Sequence, residues 1–237
     1  MRPLLRSFKM FIFQIFGDAM LFAVLIAPIL TACFFRFRLP MIEQMICSYF
    51  HKAAILANYY LLFDLLLSVI TPYMFCFASS MVMLTEYDEN MTSYMEVTPV
   101  GKKGYLFSRL GFPAIISFIV SVILMLCFSL TKWSLLMIML ICMLTSILSI
   151  IVSLLLFSLS HNRVEGMAIA KLSGLLMLGL PVPFFLFSNV QYLFSFLPSF
   201  WIAKFCMEQN YVFLLFALLS SLIYTWLLYR KFERKLV

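Results

Sequence analysis

The side chains that could do chemistry in this 237-residue chain are concentrated in one polar segment, residues 85–103, which reads TEYDENMTSYMEVTPVGKK. This segment holds four of the ten acidic residues, namely Glu86, Asp88, Glu89 and Glu96. Long apolar runs lie on both sides of it. Clustered carboxylates on a polar connector suit electrostatic recognition, so we predict that a water-soluble partner binds the chain here.

The signatures of common catalytic sites are missing from the sequence. A phosphate-binding loop follows the pattern GxxxxGK[ST], but around Gly101 the first glycine is replaced by Glu96 and the final Ser or Thr by Lys103. The two histidines, His51 and His161, fall in connectors that we predict on opposite sides of a membrane. We therefore predict no enzymatic activity, no metal site and no cofactor held by this chain.

Asp64 is the acidic residue that stands well inside an apolar run. An ionised carboxylate at such a depth costs about 2.5 to 3.5 kcal/mol. Two interpretations stay open: Asp64 is a substrate or proton site, or it is a structural carboxylate near the outer end of its span, hydrated or paired with Arg36 or Arg38. We favour the structural interpretation.

The composition places these residues in a membrane protein. The chain is 65% hydrophobic and 11% charged, with a mean hydropathy of +1.07, whereas soluble domains carry about 25% charged residues. A helical span needs roughly 20 apolar residues, so the chain has room for about six spans and none for a soluble catalytic domain. The net charge of +7 comes from basic residues at the ends of apolar runs, which indicates anchoring to the lipid bilayer and no nucleic-acid binding.

The predicted fold is an all-α integral membrane protein with a single domain over residues 1–237. Residues 1–18 are predicted to form an amphipathic helix in the membrane interface, because Arg2, Arg6 and Lys9 recur at helical spacing opposite apolar residues. A connector with a short helix on the outer surface is predicted at residues 36–56. The six predicted spans are residues 19–35, 58–84, 105–130, 134–158, 166–187 and 211–229.

Three prolines interrupt the apolar region before the last span, at positions 181, 183 and 198. They predict a broken, partly re-entrant helical hairpin, a structure that membranes tolerate where neighbouring protein satisfies the backbone hydrogen bonds.

Twelve of the 17 Lys and Arg residues lie on the side of the two termini in this arrangement, which predicts that both termini are cytoplasmic. Arg109 is predicted to snorkel to that surface, and a disulfide between Cys47 and Cys206 stays open.

The polar segment itself is predicted to form a short cytoplasmic helix. Thr85 or Glu86 can cap its start, where acidic residues in the first turn interact favourably with the helix dipole. Pro99 is predicted to end the helix, because the residue before a proline avoids helical geometry. Gly101 then lets the chain turn back into the membrane.

The run E-Y-D-E-N-x-x-x-Y-x-x-V-T-P-V-x-x-x-x-Y-L-x-x-R, which ends at Arg109, resembles the cytoplasmic connector of type-2 ABC-transporter permeases, especially the small bacterial drug- and peptide-export subunits. The predicted interfacial helix, the six spans, the cytoplasmic termini and the broken hairpin agree with this family. The segments HNRVEGMAIAK and LPSFWIAK are also similar to segments of these permeases.

The resemblance implies a permease subunit of an ATP-driven exporter for an amphipathic or hydrophobic cargo such as a drug, an antimicrobial peptide or a lipid-like molecule. It implies a separate cytoplasmic ATPase dimer that binds ATP and Mg, and a homodimer or a heterodimer with a second permease. The implied ATPase-coupling residues are Glu86, Tyr87, Asp88, Glu89, Tyr94, Glu96, Thr98 and Pro99. The implied second inner contact consists of His161, Arg163 and Glu165. The candidates for lining the translocation path are Tyr59, Tyr60, Asp64, Phe75 and Phe77.

Two other classes of function stay open from the sequence. An ion-coupled secondary transporter would use Asp64, although no inverted repeat is visible. A non-transporting immunity or scaffold subunit would need neither an ATPase nor a cargo path. Co-purification of a stoichiometric ATPase would distinguish an ATP-driven exporter from both of these classes.

Overall fold

The computed structural model describes residues 2–89, 91, 101–186 and 188–236, and all regular structure in these ranges is helical. The α-helices are α1 (Arg2–Gly17), α2 (Ala19–Cys33), α3 (Leu39–Phe50), α4 (Tyr60–Asp88), α5 (Gly101–Leu106), α6 (Phe112–Phe128), α7 (Leu135–Leu159), α8 (Arg163–Ser173), α9 (Val182–Phe185), α10 (Pro198–Glu208) and α11 (Tyr211–Leu236). Two π-helical stretches, Phe34–Arg38 and Phe107–Gly111, join α2 to α3 and α5 to α6. Short 3-10 helices occupy Ala57–Tyr59, Gly174–Met177 and Asn189–Phe194.

Five continuous helices in the described part of the chain are long and apolar enough to cross a membrane, and they correspond to five of the six predicted spans. They cover Ala19–Phe50, Ala57–Asp88, Gly104–Phe128, Leu135–Leu159 and Tyr211–Lys235. The amphipathic helix predicted for residues 1–18 is α1. The all-helical prediction is thereby confirmed.

The predicted fifth span, residues 166–187, is not one continuous helix. It consists of α8, a 3-10 turn and the four-residue α9, and Pro181 lacks the N–H that would carry helical hydrogen bonding on into α9. The six-span count therefore stays a prediction. The short helices expected before the last span are present as α9, a 3-10 turn and α10, while a re-entrant path for them also stays a prediction.

The first long helix does not end where the sequence predicted. Its backbone continues from α2 through the π-helical stretch into α3 and reaches Phe50, so the connector predicted from residue 36 begins later. Pro40 does not break the helix, because it stands in the first turn of α3, where a missing N–H is tolerated. Arg36 projects to a neighbouring turn and donates a hydrogen bond to the Ser129 carbonyl oxygen at 2.9 Å.

Helices α4 and α7 form the centre of the bundle. In the most apolar segment of each helix, 61% of the residues are buried, against 11% in that of α11. Small side chains let the two helices approach closely, and the Ser153 hydroxyl donates to the Ser80 hydroxyl across their contact at 3.3 Å. All six cysteines are free thiols, so the disulfide left open between Cys47 and Cys206 does not form.

Helix α8 packs against the end of α4 through a glycine. A Cβ atom on Gly166 would lie 2.4 Å from Leu84 Cδ1 and 3.2 Å from Met81 Cε. Both neighbouring side chains are fully buried, so they have little space to move. Gly174, at the other end of α8, has no atom within 4 Å of the same position.

We expect Gly166→Ala to lower the thermal midpoint of the purified protein. Overpacking of a closed contact costs about 1 to 3 kcal/mol, which exceeds the gain of about 1 kcal/mol from replacing a helical glycine by alanine. Gly174→Ala is the matched control and should be neutral or stabilising. Equal midpoints for the two variants, measured by thermal unfolding in detergent, would contradict this packing.

Candidate functional site

Charged and polar side chains meet at the end of the bundle where α4 leaves the core, in a cluster that we call the polar junction. It consists of Ser7, Asp18, Glu86, Asp88, Tyr105, Arg109, Arg163 and Glu165. These residues come from α1 and its boundary with α2, from the end of α4, from the α5–α6 segment and from the start of α8. The polar segment predicted to bind a partner emerges at this junction.

The centre of the junction is a buried ion pair between Glu86 and Arg109. Arg109 is 0% exposed and Glu86 is 1% exposed. Arg109 Nε donates to Glu86 Oε2 at 3.0 Å and Nη2 donates to Oε1 at 2.5 Å, which is the bidentate geometry that makes such pairs strong. The Tyr105 hydroxyl adds a third donor to Oε2 at 3.0 Å. Arg109 Nη1 donates to the Ser7 carbonyl oxygen at 2.9 Å and so attaches α1 to the pair.

This geometry corrects two predictions. Thr85 and Glu86 do not begin a new helix, because α4 continues without a break to Asp88. Glu86 therefore lies in the last turn of a long helix and faces inward, so its carboxylate is not on the surface. Arg109 does not snorkel to water, because Glu86 and Ser7 satisfy its guanidinium inside the protein.

Backbone geometry brings Arg109 to this position. It lies in the π-helical stretch Phe107–Gly111, where the wider turn shifts side chains relative to a regular helix. The Ser79 hydroxyl of α4 donates to the Arg109 carbonyl oxygen. The guanidinium also lies over the Phe11 ring, with its carbon 5.2 Å from the ring centroid, a cation–π contact that offsets part of the lost hydration.

The exposed side of the junction joins the two segments that were predicted as separate partner contacts. The Arg163 backbone N–H donates to Asp88 Oδ2 at 3.3 Å. The Arg163 guanidinium forms an ion pair with Asp18, and the Glu165 carboxylate accepts from the His161 backbone N–H at 2.7 Å. Asp88 and Glu89 are exposed at the end of α4. The end of α4 and the start of α8 thus form one continuous polar surface.

Asp18 connects this surface to α2. Its carboxylate caps α2 by accepting from the Met20 and Leu21 backbone N–H groups at 2.9 and 3.3 Å. The hydrogen bond from Arg163 lowers the pKa of Asp18, and these backbone hydrogen bonds act in the same direction against partial burial. The carboxylate therefore stays ionised, and the cap and ion pair persist, until the pH falls below the usual range for aspartate.

The end of α11 also reaches the junction. Lys235 Nζ donates to the Phe157 carbonyl oxygen at 2.5 Å and to the Ser160 carbonyl oxygen. It lies 4.5 Å from the centroid of the Tyr87 ring, so Tyr87 packs between α7 and α11. Sequence reasoning missed Ser7, Asp18 and Lys235, because their partners lie far away along the chain.

The remaining predicted coupling residues, Tyr94, Glu96, Thr98 and Pro99, lie outside the described residues. The described chain resumes at Gly101, whose φ of +63° is a conformation that glycine adopts without strain. The prediction that Gly101 allows the turn back into the membrane agrees with this geometry. Among the residues whose placement is described, no group of His, Cys, Asp or Glu could hold a metal ion.

The candidates for the translocation path are dispersed through the structure. Tyr59 stacks on Phe185 with ring centroids 5.2 Å apart, and Tyr60 is partly buried in the next turn. Phe77 belongs to the buried core, while Phe75 lines an apolar cavity beside α1. Asp64 lies at the other end of α4 from the polar junction, and the lining of a translocation path by these five side chains stays a prediction.

Asp64 is buried and accepts four hydrogen bonds within the fold. It is 1% exposed and accepts from the backbone N–H groups of Leu130 and Thr131 at 2.8 and 2.9 Å. The Thr131 hydroxyl and Trp133 Nε1 donate to it at 2.5 and 2.9 Å. The pairing with Arg36 or Arg38 is wrong, because the turn between α6 and α7 supplies the donors instead.

We expect Asp64→Asn to destabilise the protein without abolishing its transport chemistry. The asparagine NH2 group would face N–H donors, and an unsatisfied buried group costs about 1 to 3 kcal/mol. The thermal midpoint should fall, while transport per folded molecule should stay unchanged. Loss of transport at a normal amount and stability of folded protein would instead show that Asp64 acts on a substrate or proton.

We expect Glu86→Gln to destabilise the protein strongly, because it leaves the Arg109 charge buried without a counter-ion. Breaking such a pair costs about 3 to 5 kcal/mol. Glu89→Gln is the matched control, since Glu89 is exposed in the same helix end, and it should change stability by about 0.5 kcal/mol or less. The double variant Glu86→Met with Arg109→Met should recover much of the loss. Equal thermal midpoints for Glu86→Gln and Glu89→Gln would contradict the role of the pair.

Comparison with known proteins covers most of the chain. The model of a family described as fluoroquinolones export permease protein Rv2686c-like matches residues 11–230. Two similar proteins are the fluoroquinolones export permease protein MT2760 of Mycobacterium tuberculosis strain CDC 1551 / Oshkosh and the fluoroquinolones export permease protein Rv2686c of strain ATCC 25618 / H37Rv. Each is 26% identical over 231 residues, which cover 93% of this chain and 90% of the relative. No solved structure matches the chain significantly.

Proposed function

The chain belongs to the Rv2686c-like family of fluoroquinolone export permeases, and from this premise we propose that it is the membrane subunit of an ATP-driven drug exporter. In this proposal a separate cytoplasmic ATPase dimer binds ATP and Mg, and its movement is passed to the membrane helices through the polar junction. The permease pairs with a second copy or with a similar permease. The cargo is an amphipathic or hydrophobic drug-like molecule.

The observation that carries the proposal is the contact between Asp88 and Arg163. Their hydrogen bond joins the end of α4 to the start of α8, so a partner that binds one of these segments also touches the other. Asp88, Glu89 and His161 are exposed on this surface. A basic surface on an ATPase would complement the carboxylates at the end of α4.

The Glu86–Arg109 pair supplies a route from this surface into the membrane. Glu86 stands two residues before Asp88 in the same helical turn. Its partner Arg109 lies in the π-helical stretch that leads directly into α6. Because the pair is bidentate and buried, displacement of the α4 end would move the start of α6 with it. In this role Glu86 positions α6 and does not contact the ATPase.

The orientation of the protein follows from the same proposal. The polar junction faces the cytoplasm, together with both termini, where the excess of Lys and Arg places them. The α6–α7 turn that Asp64 holds then lies toward the outer surface. This orientation is compatible with export of a cargo toward the side of that turn.

An ion-coupled transporter is the second candidate, and it would need a carboxylate free to exchange protons. Asp64 was the residue that favoured it. Its four hydrogen-bond donors support a structural role, so we prefer the ATP-driven mechanism. A scaffold or immunity subunit would not need the connected surface at the polar junction.

We expect simultaneous charge reversal of Asp88 and Glu89 to lysine to release the ATPase or to uncouple ATP hydrolysis from drug export. The reversal replaces two exposed carboxylates with like charges against a basic partner. Co-purification of the ATPase with the tagged permease measures binding, and accumulation of a fluorescent fluoroquinolone in cells measures export.

Glu208→Gln is the control, because Glu208 is an exposed carboxylate on α10 outside the polar junction, and a neutral side chain there does not repel its ion-pair partner Lys204. It should retain both the ATPase and export. If the double reversal exports drug as well as the parent, the coupling role of this surface is wrong. If an energised proton gradient alone drives export without an ATPase, the ATP-driven mechanism is wrong.

A further inference from the structure

An apolar cavity of about 210 Å³ lies between the interfacial helix α1 and the membrane helices α2, α4 and α6. Helix α1 provides most of its wall, and Leu25, Phe75 and Ile116 close the opposite side. All nine lining side chains are apolar. No residue of the polar junction lines the cavity, although α1 contributes to both.

The chemistry of the cavity restricts what can occupy it. An engineered apolar cavity of about 150 Å³ stays dry and binds benzene or xenon, so a cavity of this size and lining has room for hydrocarbon. No lining side chain offers a hydrogen bond, and burial of an unpaired polar or charged group is costly. The lining therefore suits a hydrocarbon group.

The mouth of the cavity lies beside exposed apolar side chains of α1. Two of its lining residues, Ile12 and Phe16, are 37% and 62% exposed, and the neighbouring Phe13 is 81% exposed. These side chains form the exposed apolar face of α1. A hydrocarbon chain in the bilayer could thus pass between them into the cavity without crossing water.

A basic side chain stands beside this mouth. Lys9 is exposed and precedes Ile12 by three residues and Phe16 by seven, so all three lie on one face of α1. The axial distance from Lys9 to Phe16 is about 10 Å at 1.5 Å per residue. A phospholipid whose chain enters beside Phe16 would bring its headgroup near Lys9, which favours an anionic headgroup.

We propose that the cavity binds one acyl chain of an anionic phospholipid, whose headgroup interacts with Lys9. The lipid then forms part of the packing between α1 and the bundle. Phe11 lines the cavity and also lies under the Arg109 guanidinium. An occupied cavity therefore supports the Phe11 ring from the side opposite the Glu86–Arg109 pair. This inference does not depend on the identity of the cargo.

The first experiment counts lipids retained by the purified full-length protein in native mass spectrometry. The probes are dioleoyl phosphatidylglycerol and dioleoyl phosphatidylcholine. We expect one tightly retained phosphatidylglycerol on the parent. Ile116→Trp fills the cavity and should remove it, while the matched Ile115→Trp should keep it, because Ile115 is 50% exposed on the outer face of α6. Retention of the lipid by folded Ile116→Trp would overturn the proposal.

The second experiment tests the headgroup. Lys9→Gln should reduce the preference for phosphatidylglycerol over phosphatidylcholine about fivefold, the contribution of one basic residue near a membrane surface. Lys52→Gln removes the same charge from an exposed position outside the cavity and should leave the preference unchanged. An unchanged preference in Lys9→Gln would overturn the assignment of the headgroup.

A third measurement keeps the proposal testable if Ile116→Trp does not fold. The parent is reconstituted in vesicles with phosphatidylglycerol that carries a diazirine near the end of one acyl chain, and cross-linked residues are mapped by mass spectrometry. We expect labelling of Phe75 and Ile116, which line the cavity. Labelling confined to outward-facing residues such as Ile115 and Ile119 would show that the chain stays outside.

Discussion

The buried ion pair between Glu86 and Arg109 is the interaction on which the rest of this end of the molecule depends. Burial of either charge without the other would cost several kcal/mol of desolvation. The pair is tolerated because Tyr105 and Ser7 complete its hydrogen bonds. As a result α1, α4 and the α5–α6 segment must keep their relative positions. These fixed positions determine where the side chains of the polar junction lie.

The sequence predicted the class of fold well, because membrane spans depend on composition over about 20 residues. The boundaries of the span that became α7 were correct to within one residue. Its polar borders, such as Ser134 and Ser160, are local signals that cap a helix or end it. The amphipathic α1 was predictable for the same reason, since its spacing of basic residues is visible within three turns.

The errors arose at charged residues whose hydrogen-bond partners lie far away in the sequence. Two spans were predicted to end at residues 35 and 84, just before polar segments that contain Arg36 and Glu86, yet both helices continue beyond these residues. In each case the charge is satisfied by a residue on another element, at Ser129 for Arg36 and at Arg109 for Glu86. The fate of a charge in such a chain depends on tertiary contacts, which spacing within one helix does not reveal.

The two buried carboxylates of α4 have a joint consequence for how this helix can move. Asp64 holds the far end of α6 through the turn at Leu130 and Thr131, while Glu86 holds its near end through Arg109. Their spacing along α4 corresponds to about 33 Å, close to the thickness of the hydrocarbon core of a bilayer. Two helices joined near both of their ends cannot slide lengthwise past each other. Helices α4 and α6 must therefore tilt or rotate together.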